Sequence, residues 1–193
     1  MYSEEVFKRR NELGGCIEVI CGSMFSGKTE ELIRRVNRAR IAKVQVEIFS
    51  PVADTRYDKS SVVSHNLNSI PSVPVSKSAD ILPLADHIQV VGIDEAQFFD
   101  DNLPEVCLQL ANSGVRVIVA GLDMDFKGRP FGSMPQIMAM AESVTKLHAV
   151  CVKCGSQAMY SYRLVPDDSK ILLGEKESYE ARCRKCYNLD GSI

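Results

Sequence analysis

The stretch 22-GSMFSGKTEEL-32 reads Gly, four residues, Gly, Lys, Thr, and then the start of a charged helix. It follows 16-CIEVIC-21, a short apolar run of strand type. A loop of this kind between a strand and a helix is shaped to hold phosphate. Successive backbone N–H groups from Ser23 through Met24, Phe25, Ser26, Gly27, Lys28 and Thr29 can converge on phosphate oxygens, and the helix N-terminus adds partial positive charge. Gly22 and Gly27 stand where a side chain would block close approach or where φ is positive. Lys28 is placed to reach the outer phosphates, and the Thr29 hydroxyl to ligate Mg²⁺.

Strand and helix signals alternate outward from this loop. A helix is predicted over 28–42, with Leu32, Ile33 and Val36 on one apolar face and Arg34, Arg35, Arg38 and Arg40 mostly off it, as a solvated or subunit-facing surface. Strands are predicted at 44-VQVEIFSP-51, 88-IQVVGIDEA-96, 115-VRVIVAGLD-123 and 144–150, with helices at 103–113 and 134–143. Short strands near Val62 and Val73 and a short helix near Asp80 fill the serine- and proline-rich middle. The pattern predicts an α/β fold: a P-loop NTPase-like parallel sheet with flanking helices, plus a small C-terminal zinc-ribbon domain with a lasso loop. The phosphate loop, 94-DEAQFF-99 and 122-LDMDF-126 all fall at carboxyl ends of strands, where such sheets place their sites. The expected organisation is a loose lead-in over 1–14, a P-loop α/β domain over 15–150 and a zinc-binding lasso domain over 151–193.

Asp94 and Glu95 close a hydrophobic strand. An Asp in that position holds Mg²⁺ in P-loop proteins. Glu95 could orient a water, giving an ATPase, or accept a proton from a substrate hydroxyl, giving a kinase. The pair alone does not choose between these.

Two CxxC pairs, 151-CVKC-154 and 183-CRKC-186, supply Cys151, Cys154, Cys183 and Cys186. Four thiolates suit tetrahedral structural Zn²⁺, and two pairs at this spacing disfavour a redox role. The segment 155–182 between them reads as a hairpin or lasso stapled at its base, a candidate substrate lid. The remaining Cys16, Cys21 and Cys107 read as buried, inert thiols. His65, His87 and His148 lack metal-like spacing, and Met134, Met138 and Met140 read as core. The chain has 193 residues, 45% of them hydrophobic and 25% charged, with a formal net charge of −2. This balance argues against a general nucleic-acid or membrane-surface binder. With no export signal and an odd cysteine count, a cytoplasmic protein is expected.

Together, 22-GSMFSGKTEEL-32, 54-DTRY-57, 94-DEAQFF-99, 120-AGLDMDFKGRPFG-132 and the CxxC pairs resemble the type II, or cytosolic-type, thymidine kinases over 15–187. The resemblance implies transfer of the γ-phosphoryl of ATP to the 5′-hydroxyl of thymidine, and of deoxyuridine, with Glu95 as general base. Lys28, Thr29 and Asp94 then serve nucleotide and magnesium, and Arg56 lies near the phosphates. Met24, Gln97, Phe98, Leu122 and Phe126 fall at nucleoside-binding positions, as do Ser161, Leu172, Gly174 and Tyr179 of the lasso. Backbone groups there would read thymine or uracil and reject cytosine, whose pattern is reversed. The family also implies a homotetramer and feedback inhibition by dTTP.

Overall fold

A computed structural model describes residues 14–52, 61–63, 69–165 and 178–189. Strand β1 (Cys16–Gly22) leads into helix α1 (Lys28–Ile41) and strand β2 (Val46–Pro51). Three short strands follow: β3 (Ser61–Val63), β4 (Ser69–Pro71) and β5 (Val73–Val75). A 3₁₀ turn at Ser78–Asp80 precedes α2 (Ile81–Leu84) and β6 (Val90–Ile93), and a second 3₁₀ turn, Ala96–Phe98, precedes α3 (Leu103–Asn112). Then come β7 (Arg116–Gly121), α4 (Met134–Met140) and β8 (Ser143–Leu147). The cysteine-rich end holds β9 (Ala149–Val150), β10 (Gln157–Ala158), β11 (Tyr160–Arg163), β12 (Tyr179–Arg182) and α5 (Arg184–Leu189).

Six strands form one sheet in the order β5-β2-β6-β7-β1-β8, and every pairing within it is parallel. The β-branched runs explain why. Val90–Ile93 and Arg116–Gly121 are buried at every position, so both faces of these strands must be covered. Alternate residues divide between two cores. Val19, Cys21, Val117 and Val119 face the side covered by α3 and α4, while Ile20, Ile118 and Ala120 face α1. The apolar face of α1, Leu32, Ile33, Val36 and Ala39, is buried there. Each larger aliphatic residue so buried contributes about 1.5–3 kcal/mol. Glu30 and Glu31 in the first turn of α1, and Arg38 and Arg40 in its last, match the helix dipole.

Arg35, expected on a solvated or subunit-facing surface, is instead bonded within the chain. It is half-buried and donates to Glu18 at 2.9 Å, Glu31 at 2.8 Å and Thr145 at 2.9 Å. Glu18 also accepts two bonds from the buried Arg116, at 2.5 and 2.9 Å. Burial alone would raise the Glu18 carboxyl, but Arg116 and Arg35 outweigh it and hold it below its usual range. Removing one member of such a buried network leaves an uncompensated charge, at a cost of about 3–5 kcal/mol.

The run expected as one strand over 144–150 is divided. β8 ends at Leu147 and pairs with β1, whereas β9 pairs antiparallel with β10. The chain thus leaves the large sheet at the exposed His148. The expected hairpin base within 155–182 is present as β11 against β12, antiparallel from Tyr160↔Arg182 to Arg163↔Tyr179. Cys21 and Cys107 are buried as expected, but Cys16 is only half-buried. Met134 is fully buried, with Met138 and Met140 packed on the same core. No described helix is long and apolar enough to cross a membrane.

Candidate active site and cysteine centre

The phosphate loop closes the carboxyl end of β1. Gly22 has φ 144, and a Cβ there would lie 2.3 Å from the Leu147 carbonyl oxygen. Gly27 has φ 85 and caps α1 in the left-handed region, which favours glycine. The Lys28 ammonium curls back to donate to the Ser23 carbonyl at 2.8 Å, so it stands over the loop. The Thr29 hydroxyl donates to Asp94 Oδ2 at 3.3 Å, joining the start of α1 to the end of β6. A hydroxyl and a carboxylate in that relation form the hard-oxygen pair that Mg²⁺ takes.

Glu95 follows Asp94 at φ 49 and ψ 42, a left-handed conformation that costs a non-glycine residue about 1–2 kcal/mol. Its amide donates to Asp94 Oδ1 at 3.0 Å. Strain of this kind persists where the surroundings dictate it, and it clusters at working sites. The buried Gln97 donates from Nε2 to Glu95 Oε2 at 2.5 Å, and its Oε1 accepts the Leu122 amide at 2.9 Å. Loops from β6 and β7 are therefore bonded through one side chain.

Asp123, after β7, is buried and pairs with Lys146 of β8 at 2.5 Å. Its other oxygen, Oδ1, has no hydrogen-bond partner among the described residues. The Cys21 thiol nearby is pushed up to about 11, first by burial and then by Asp123. It is unreactive for that reason.

The cysteine-rich end sits against the phosphate loop. The Met24 amide donates to Ser161 Oγ at 3.0 Å, and the Ser23 hydroxyl to the Ala158 carbonyl at 3.4 Å. Phe25, itself at φ 64, packs on the small core of Ala149, Cys151, Ala158 and Ala181. The sulfurs of Cys151, Cys154, Cys183 and Cys186 all lie within 4.8 Å of one another. Cys154 and Cys183 approach to 3.6 Å without a disulfide, and all seven cysteines are free thiols. A tetrahedral ion with Zn–S bonds of ~2.3 Å sets its sulfurs ~3.8 Å apart, so the quartet fits structural zinc. The Cys154 thiol is drawn down to about 6, foremost by the Ser156 hydroxyl, while its hydrogen-bonded neighbour Cys186 is pushed up to about 12.

Aromatic residues of the segments after β6 and β7 make ring contacts. Phe98 meets Phe131 edge-on at 5.7 Å. The buried Arg163 lies 3.5 Å over the Phe126 ring and donates to the Tyr179 hydroxyl at 2.6 and 3.1 Å.

Residues 15–187 match the thymidine kinase family. The chain belongs to the thymidine kinase family. A thymidine kinase of Bacteroides thetaiotaomicron is 59% identical over 187 residues, which cover 97% of this chain and 94% of that one. One from Porphyromonas gingivalis is 61% identical over 173 residues, covering 90% and 85%. One from Rhodothermus sp. is 56% identical over 187 residues, covering 97% and 88%.

Within this thymidine kinase family member, the sequence-predicted Gly22–Thr29 loop, Asp94 and Glu95 converge on one edge of the sheet. Met24 and Ser161 meet where the loop touches the cysteine-rich end, Phe126 and Tyr179 both contact Arg163, and Phe98 and Leu122 lie in the segments that follow β6 and β7. Gln97 and Ser161, expected at the nucleoside, have side chains bonded to Glu95 and Leu122 and to Met24, respectively. Arg56, Leu172 and Gly174 lie outside the described residues, as does His65. Arg163, Tyr187 and the Asp123–Lys146 pair were not singled out from sequence. The alternation 160-YSYR-163, which puts Arg163 on the same face as the buried Ser161, was the available signal.

Proposed function

We propose that this chain is an ATP-dependent thymidine kinase in which Glu95 is the general base. The observation that carries the reading is the strained Glu95, fixed beside an Asp94 that also accepts the hydroxyl of phosphate-loop Thr29. In the proposed reaction the thymidine 5′-hydroxyl gives its proton to the Glu95 carboxylate. Its oxygen forms a bond to the γ-phosphorus of ATP as the bond to the bridging oxygen breaks, and ADP leaves with that electron pair. The phosphate-loop amides and Lys28 orient the polyphosphate, and Arg56 is assigned to the same phosphates. Thr29 and Asp94 would hold Mg²⁺, which when bound offsets phosphate charge.

Met24, Phe98, Leu122 and Phe126 are assigned to the walls of the thymine pocket, since a flat methylated base fits aromatic and aliphatic surface. The lasso, with Leu172, Gly174 and Tyr179, is assigned to reading the base edge, which also admits deoxyuridine. The four cysteines would hold a structural zinc ion, with no open position for chemistry. A kinase domain over 15–150 and a lasso domain over 151–193, a homotetramer, inhibition by dTTP and a cytoplasmic location complete the proposal.

Glu95→Gln tests it. Turnover should fall about 10²-fold or more with ATP binding nearly intact. Near-normal turnover would remove Glu95 from the role.

A further inference from the structure

Glu95 sits on a two-residue shoulder between β6 and the following 3₁₀ turn, with a flexible side chain. Something must fix its carboxylate, because a general base works only within hydrogen-bond reach of the proton it takes. Among the described side chains, that of the buried Gln97 is bonded to it.

The Gln97 amide has no ambiguity of orientation. The Leu122 N–H can only donate, so the group facing it at 2.9 Å must be the amide oxygen. The NH₂ group is thereby turned to Glu95 Oε2, at 2.5 Å. Gln97 is only 4% exposed, and its surroundings are closed. A Cβ at Gly121 would lie 2.8 Å from Gln97 Oε1, and a Cβ at Gly132 would lie 2.6 Å from the Gln97 carbonyl oxygen. Within 120-AGLDMDFKGRPFG-132, Gly121 thus makes room for this side chain and Gly132 for the Gln97 backbone.

We propose that Gln97 is a positioning residue for the phosphoryl transfer: its buried amide, locked by Leu122, holds the Glu95 carboxylate in place for the incoming hydroxyl. The assignment rests on the reading of Glu95 as the base. It differs from a nucleoside contact, because both ends of the amide are occupied by protein. It also couples the base to Leu122, a wall of the proposed thymine pocket, so the seat of the nucleoside and the aim of the carboxylate share one support.

Gln97→Glu keeps the length and the acceptor for the Leu122 amide but sets an acceptor against Glu95. Misplacing a catalytic group by a fraction of its reach can cost about 10²-fold. The full-length enzyme carrying Gln97→Glu should lose about that factor in kcat, while KM for thymidine and for ATP stays within roughly threefold. Gln97→Met, which removes both bonds at similar volume, provides a second variant and should lose a similar factor in kcat. Residues that act as a unit are non-additive, so Glu95→Gln with Gln97→Glu should be no slower than Glu95→Gln alone.

Three outcomes overturn the proposal. One is a folded Gln97→Glu or Gln97→Met enzyme with normal kcat. Another is a raised thymidine KM with kcat unchanged, which would make Gln97 a nucleoside contact. The third is a full multiplication of the two losses in the double variant. A Glu95→Gln enzyme of near-normal turnover would instead defeat the reading of the base itself, whatever Gln97 does.

Discussion

The Tyr187 hydroxyl donates to the backbone carbonyl of Phe126 at 2.7 Å. Tyr187 belongs to α5, the helix that carries Cys186, and its ring stacks on Tyr160 at 4.3 Å. Phe126 belongs to the loop after β7. This part-buried hydrogen bond therefore joins the helix that carries Cys186 to a residue of the proposed thymine pocket.

Tyr187→Phe keeps the stack and deletes that bond. Leaving the Phe126 carbonyl without its donor costs about 1–3 kcal/mol if no water replaces it. We predict a KM for thymidine raised several-fold and a KM for ATP changed far less. Steady-state kinetics with each substrate varied in turn measures both, and equal rises would show that the bond does not act on the pocket.

The four cysteines predict about one zinc ion per chain in the purified protein. Stripping it with a strong chelator should release the β11–β12 and α5 region, seen as faster amide exchange there, and disturb the phosphate loop through Met24, Phe25 and Ser161. Elemental analysis of active protein that finds no bound metal would refute the site.

Glu31 predicts an acid sensitivity. Bonds from Arg34, foremost, and Arg35 hold its carboxyl down from an ordinary 4.5 to about 2. Because the folded value is the lower one, its stabilisation is full above about pH 4.5 and is lost as pH falls toward 2. Arg34 is largely exposed, so the effect is modest. Glu31→Gln should lower the urea midpoint at pH 6 and converge on the parent near pH 2. A gap that widens on acidification would contradict the assignment.

Local chemistry made much of this fold legible. The glycine loop, the buried runs ending at Ile93 and Gly121 and the CxxC pairs each carry their meaning in a few adjacent residues. Strand order was not so encoded, because β1 lies between β7 and β8, both far along the chain. The fate of Arg35 depended on Glu18 and Thr145 from two other elements, which helical spacing alone does not reveal. The left-handed Glu95 and the Gln97 bridge to Leu122 escaped for the same reason. They arise where two strands end side by side, and 25 residues separate the partners of that bridge.

The most direct measurement is phosphate transfer from Mg·ATP with thymidine, deoxycytidine and single-stranded DNA supplied separately. The account predicts thymidine monophosphate from thymidine, little product from deoxycytidine and no stimulation by DNA. ADP release stimulated by DNA, without any phosphorylated nucleoside, would mean that Glu95 activates water and would contradict it.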